Sequence, residues 1–209
     1  MSKLGFVVQH PTSRINPLLR AGPSILVCVN NPGLIDSLKP LAPDALYIFR
    51  KHFGGQPLDS PKMRARQAVA FLKPTIEKDG HRYDGVELYN EIAQNELDVA
   101  KRFRDFQLEC LEKLSQYDIG VAVDNDPTWH PHFPKDWPAL WEIKSEVYAH
   151  PAATWRCRHE YIPQSHYQGG YGQWGRFIKE IEWLRANGKR VLPHIIGEWG
   201  FDKGPPVGP

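Results

Sequence analysis

Two short segments carry the residues best suited to chemistry. Tyr83-Asp84-Gly85-Val86-Glu87-Leu88-Tyr89-Asn90-Glu91 closes an apolar run on an Asn-Glu pair. His194-Ile195-Ile196-Gly197-Glu198-Trp199-Gly200 closes another on a glutamate between glycines, with an aromatic beside it. Glu91 and Glu198 lie 107 residues apart. Brought to one rim, they form the pair that glycosidic bond cleavage needs. One carboxyl stays protonated to expel the leaving oxygen, and the other stays ionised to attack or to activate water.

Other chemistries find less support. No G-x-S-x-G elbow, G-x-G-x-x-G fingerprint or Walker loop occurs. Cys28, Cys110 and Cys157 are an odd set without CxxC spacing, so neither a disulfide framework nor a zinc ribbon is indicated, and Cys157 reads as core. Asp124-Asn125-Asp126 followed by His130-Pro131-His132 offers oxygen and nitrogen ligands. The proline makes the two rings diverge, and no third histidine follows at helical spacing, so no metal or other cofactor is expected. That stretch reads better as a loop over the site, where Trp129, Phe133 and Trp137 stack on sugar rings or simply pack the loop down. Tyr167-Gln168-Gly169-Gly170-Tyr171 is a second loop of the same kind.

The elements that must position these residues alternate between β-rich runs and amphipathic stretches, the pattern of βα units around a parallel sheet. Strands are predicted at Leu4–Gln9, Ile25–Asn30, Ala45–Arg50, Gly85–Tyr89, Ile119–Val123, Thr154–Tyr161 and Val191–Ile196. Near-continuous apolar runs of this kind suit strands covered on both faces. Ser60-Pro61 starts a helix with Ala65, Ala68, Val69, Leu72 and Ile76 on its face. Asn95 is placed to cap the next, whose face is Ala100, Phe103, Gln107, Cys110, Leu111 and Leu114. A helix after Asp136 carries Leu140, Trp141, Val147 and Tyr148. Trp174, Phe177, Ile178, Ile181 and Leu184 line the last, with Asn187-Gly188 as its left-handed stop.

The later strand starts are 34, 35 and 37 residues apart. One more step places an eighth strand near position ~227 and its helix near ~250, the usual length of a (β/α)8 barrel. The expected fold is therefore a single TIM-type domain over residues 1–209, incomplete after its seventh strand. Two unpaired sheet edges would follow, and with them self-association. Strand ends then deliver His10, Asn30, Arg50, Asn90-Glu91, Asp124-Asn125, His159 with Tyr161, and Glu198 to the face where barrel enzymes place their chemistry.

On these residues the chain resembles the clan A glycoside hydrolases, the retaining (β/α)8 barrels that include cellulase-like and mannanase-like enzymes. In that clan an Asn-Glu ending the fourth strand supplies the acid/base, and a Glu ending the seventh supplies the nucleophile; here these read Asn90-Glu91 and Glu198. The cellulase-like His-x-Tyr of the sixth strand reads His159-Glu160-Tyr161. The resemblance implies retaining hydrolysis of a β-linked oligo- or polysaccharide. Asn90 would hold the 2-hydroxyl, Tyr161 would donate to Glu198, His159 would line the wall, and Trp199 and Trp129 would contact sugar. Two departures stand out. The family's eighth-strand aromatic has no counterpart, and where the family has an Arg on the second strand this chain ends that strand in Asn30, the third ending in Arg50 with His52 following.

The bland readings are a loop carboxylate for Glu91, a turn for Gly-Glu-Trp-Gly, a satisfied polar pair for His159 and Tyr161, and an ordinary ion-pair partner for Arg50. The alternative function is an inactive carbohydrate-binding barrel in a virion or cell-surface assembly. With 26 Lys+Arg against 24 Asp+Glu, a net charge of +2 gives no footprint for nucleic acid or anionic membrane. No run approaches the ~20 apolar residues of a membrane span, and the first ten residues read as a strand rather than a signal peptide. A cytoplasmic or a phage-derived protein fits these features equally, so location stays open.

Overall fold

The computed structural model describes residues 3–8, 16–90, 92–127, 137–163 and 176–202; the side chains of 3–6, 126, 159–163, 176 and 196–202 fall outside that description. Seven parallel strands follow one another around the sheet: β1 (Lys3–Val8), β2 (Ile25–Val29), β3 (Leu46–Arg50), β4 (Gly85–Glu87), β5 (Gly120–Asp126), β6 (Ala153–Pro163) and β7 (His194–Asp202). The helices are α1 (Asn16–Arg20), α2 (Leu34–Leu38), α3 (Pro61–Asp79), α4 (Leu97–Leu114), α5 (Trp137–Ala149) and α6 (Arg176–Ala186). This is the TIM-type order, with seven strands as the sequence reading gives.

The expected open edges are absent. β1 pairs with β7 through Lys3↔Ile195 and Leu4↔Ile196, so the sheet closes on itself and each edge strand is the other's partner. Self-association through those edges loses its physical basis. Barrel diameter falls with strand number, so closing on seven strands leaves a narrow interior. The sequence supplies small residues where that interior is tightest. Gly85 and Gly120 sit side by side on β4 and β5, and the Trp155 indole from β6 occupies the space over both. A Cβ on either Gly120 or Gly85 would clash with Trp155 Cζ3.

Alternation along the strands sorts the apolar side chains into two layers. Ile25, Val27, Val29, Ile48, Ala122, Cys157 and Ile195 pack together, with Trp155 against them, inside the barrel. Leu26, Cys28, Tyr47, Phe49, Val86, Val121 and Val123 face the other way, onto Ala65, Leu72, Phe103, Phe106, Leu111 and Val147 of the helices. The predicted faces of α3 and α4 are buried as expected, Gln107 included. Helix α4 begins at Leu97 with Glu96 as its N-cap rather than Asn95, a one-residue shift of the kind helix ends commonly show.

Helix α6 differs more. Ile178 is 51% exposed, whereas Glu180 is buried beside Leu184. A charge replaces the expected apolar contact because Arg156 Nη2 donates to Glu180 at 2.5 Å, with the Tyr148 hydroxyl 2.9 Å from the same carboxylate. Gly188 takes φ +65°, the left-handed stop expected after α6, while Trp174 lies outside the described residues.

Gly120→Ala is expected to destabilise the fold by about 1–3 kcal/mol through overpacking. Combining it with Trp155→Leu should recover part of the loss, because the clash is with the indole. Urea unfolding of the four proteins of that cycle measures the coupling.

Candidate active site

Strands β3, β4 and β5 place three polar side chains at neighbouring positions of the barrel mouth. Arg50 and Glu87 are paired residues at the ends of β3 and β4, and Asn125 comes from β5. All three are buried, Glu87 completely. Asn125 Nδ2 donates to Glu87 Oε1 and, at 2.9 Å, to Asn90 Oδ1. Arg50 Nη1 donates to the same Asn90 oxygen at 2.7 Å and lies 3.4 Å from Glu87 Oε1. Asn90, three residues past β4, is thereby fastened to the strands on either side. Its backbone N–H donates to Gln56 Oε1. Among the described residues, nothing donates to Glu87 Oε2 or Asn125 Oδ1, both buried acceptors.

Two non-glycine residues with left-handed backbone support this arrangement. Asn30, at φ 61°, donates its N–H to the Arg50 carbonyl and accepts the His52 N–H on Oδ1 at 2.7 Å, tying the ends of β2 and β3 together. Asp124, at φ 57°, marks a β-bulge, since Val123 pairs with Arg156 but Asp126 with Arg158. The extra residue lets adjacent side chains part company: Asn125 joins the mouth, and Asp124 enters the layer between sheet and helices.

There Asp124 Oδ2 accepts from Lys144 Nζ at 2.9 Å and from Tyr148 Oη, and Arg156 Nε stands 3.5 Å away. Gln94 Nε2 donates to Oδ1 at 2.8 Å. Burial alone would push this carboxyl up, but Lys144 and Arg156, with the Tyr148 and Gln94 hydrogen bonds, hold it down at about 2. Those bonds engage both oxygens of Asp124, which is therefore a counter-ion between the layers. The candidate ligand set of Asp124, Asn125 and Asp126 is divided between two layers, and His130 and His132 lie outside the described residues. Among the described residues no cluster of three His, Cys, Asp or Glu is placed to hold a metal.

His194, at the start of β7, stacks on Phe177 with both ring nitrogens buried and without a partner among the described residues. Burial, then the positive charges of Arg156 and Arg158, push its pKa well below the ordinary imidazole value. The three cysteines are buried, and burial raises the Cys28 thiol to about 12 and Cys110 well above its ordinary range. None has the environment of a nucleophile.

Of the residues singled out from sequence, Arg50 and Asn90 are brought into direct contact. Glu91 and Trp129 lie outside the described residues; His159, Tyr161, Glu198 and Trp199 are described by their backbone. That backbone departs from expectation. β6 and β7 run on as a long pair, so Glu198 stands within β7 rather than beyond its end. Arg158 pairs with Ile196 but His159 with Glu198, which makes Gly197 the extra residue of a bulge. The bulge gives Glu198, not Gly197, the same rung as His159.

Sequence reasoning missed Glu87 as a site residue. Its one signal is a carboxylate in an otherwise apolar strand, two positions from Tyr89. A depression of about 560 Å³ lined by Ile35, Asp36, Lys39, Pro40, His81 and Arg82 lies at the opposite end of the barrel, where chain segments lead into β3 and β4. An Arg82–Asp36 ion pair occupies its wall.

No family model matches the chain, and no curated protein matches it. Solved structures do. The clostridial cellulose synthase subunit Z from Clostridioides difficile aligns over 97% of this chain and 82% of its own, at TM-score 0.56 and 12% identity. A D-tagatose 3-epimerase-like protein aligns over 94% and 91%, at TM-score 0.52 and 13% identity. A family 2 AP endonuclease from Brucella melitensis aligns over 99% and 94%, at TM-score 0.51 and 12% identity. At such identities the likeness is one of fold: the chain is a TIM-type (β/α) barrel.

The two displaced titrations predict acid sensitivity in separate windows. His194 has a lowered pKa in the fold, so its contribution is present above the unfolded value near ~6.5 and is lost as pH falls below it. Asp124 has a lowered pKa in the fold, so its contribution is present above the unfolded value of ~4 and is lost as pH falls towards 2. His194→Phe, which keeps the stack on Phe177 and removes two buried nitrogens, should flatten the upper window without loss of stability at neutral pH. Urea unfolding across pH 3–8 would reveal either result; an unchanged slope between pH 5 and 6.5 contradicts the assignment.

Proposed function

We propose that the chain is a glycoside hydrolase that cleaves a β-linked oligo- or polysaccharide with retention of configuration. The observation that carries the reading is the clamp of Arg50 and Asn125 on Asn90, at the mouth of the barrel after the fourth strand and directly before Glu91. An asparagine held there is suited to grip a sugar hydroxyl while its sequence neighbour works on the bond beside it. Glu198, within the seventh strand and on the rung of His159, supplies the second carboxyl.

In this mechanism Glu198 attacks the anomeric carbon while Glu91 protonates the departing oxygen, giving a glycosyl-enzyme. Glu91 then takes a proton from water, the water oxygen attacks the same carbon, and Glu198 leaves as carboxylate. Asn90 Nδ2, which makes no hydrogen bond among the described residues, donates to the 2-hydroxyl. Tyr161 donates to Glu198 and keeps it ionised, and His159 lines the same wall. Trp199 and Trp129 supply aromatic surface for sugar rings.

Glu198→Gln should lower kcat on an aryl β-glycoside by at least ~10³-fold and leave oligosaccharide binding intact, because it removes the nucleophile alone. Glu91→Gln should harm substrates with poor leaving groups far more than activated aryl substrates. Proton NMR of the first-formed product would read the β anomer. Wild type that binds sugar and releases none points instead to a carbohydrate-binding barrel, and an α product to inversion.

A further inference from the structure

Asn90 Oδ1 accepts two hydrogen bonds, from Arg50 Nη1 at 2.7 Å and Asn125 Nδ2 at 2.9 Å. An amide has unlike ends, so a carbonyl oxygen held by two donors admits only one orientation. Rotating the group would set the Asn90 NH2 against a guanidinium and a second NH2, donor against donor. The clamp is itself oriented. Both Asn125 N–H bonds are spent, one on Asn90 and one on Glu87 Oε1, and reversal would press Asn125 Oδ1 against a carboxylate oxygen. Glu87, fully buried, is drawn to the Arg50 guanidinium on one side and the Asn125 amide on the other.

We infer that Asn125, backed by Glu87, is a positioning residue that turns the Asn90 amide so its NH2 faces the substrate, and so sets selectivity for a sugar whose C2 carries a hydrogen-bond-accepting hydroxyl. The identity of that hydroxyl rests on the glycosidase reading; the orientation of the amide does not. Arg50 alone would leave the amide held from one side. Asn125 completes the pair of donors, and Glu87 keeps those donors pointing at Asn90 rather than at each other. Selectivity then originates two residues removed from the sugar.

Asn125→Asp replaces one of the two donors by an acceptor of the same shape beside Glu87, so Arg50 and the new carboxylate pull the Asn90 amide opposite ways and its NH2 is no longer held towards the substrate. The test compares kcat/KM for an aryl β-glycoside with that for its 2-deoxy counterpart. The wild-type preference for the 2-hydroxyl should fall about tenfold in Asn125→Asp, the scale of one lost hydrogen bond in a polar site. Asn90→Ala should lose the same preference, and the double variant no more than either. A merely structural role would lower both substrates together and leave the ratio alone. Asn125→Ala, which removes one donor and adds no charge, serves where the aspartate variant does not fold.

Hydrogen exchange of the Asn90 side-chain NH2, assigned by its loss in Asn90→Ala, gives a readout without turnover. The protons should exchange rapidly in wild type and become protected in Asn125→Asp. An unchanged substrate ratio in folded variants overturns the inference, as do protected Asn90 protons in wild type. If wild type cleaves neither glycoside, the hydrolase reading fails, and the exchange result alone decides the orientation.

Discussion

A carboxylate sealed inside a protein must be given the donors that water no longer supplies. Glu87 imposes that demand at the mouth of the barrel, and the strands on either side meet it at one of its two oxygens, Oε1. Arg50 arrives from β3 with its charge, and Asn125 arrives from β5 with its amide. Both then have hydrogen-bonding capacity that reaches Asn90, so a loop residue takes a fixed place. The parallel register that aligns Arg50 with Glu87, and the bulge that sends Asn125 inward, are what let three separate strands answer one charge.

The same bulge serves a second buried set of charges. Asp124 turns away from the mouth into Lys144, Tyr148 and Arg156, and Arg156 continues to Glu180 on α6. Removing one member of such a set is costly, since it strands another charge out of water. The network therefore joins β5, β6, α5 and α6 through directional bonds. The left-handed backbone of Asp124 links the two regions, because one local conformation separates a residue for the mouth from a residue for the scaffold.

Much of the fold was legible in the sequence. Near-continuous apolar runs and steps of 34 to 37 residues give the strands, and the faces of α3 and α4 follow from helical spacing. Closure was not legible, since it depends on the small interior volume at Gly85 and Gly120 and on the meeting of β1 with β7. At α6 hydrophobic periodicity favoured Ile178 over Glu180, because a buried glutamate is intelligible only once its partners from β6 and α5 are in place. Glu87 was hidden for the same reason. Arg50 and Asn90 were visible as strand-end residues, but their contact with each other is a matter of register. The bulge at Gly197 likewise moves Glu198 by one rung, a shift that alternation alone does not foresee.

The proposed hydrolysis has Glu91 and Glu198 act on one glycosidic bond from opposite sides. A crystal structure with an oligosaccharide bound tests it through the distance between the two carboxyl groups. A retaining pair would stand ~5–5.5 Å apart across the mouth, with the Asn90 NH2 on the sugar's 2-hydroxyl. A separation beyond ~10 Å, or carboxyls on different faces of the barrel, would contradict it.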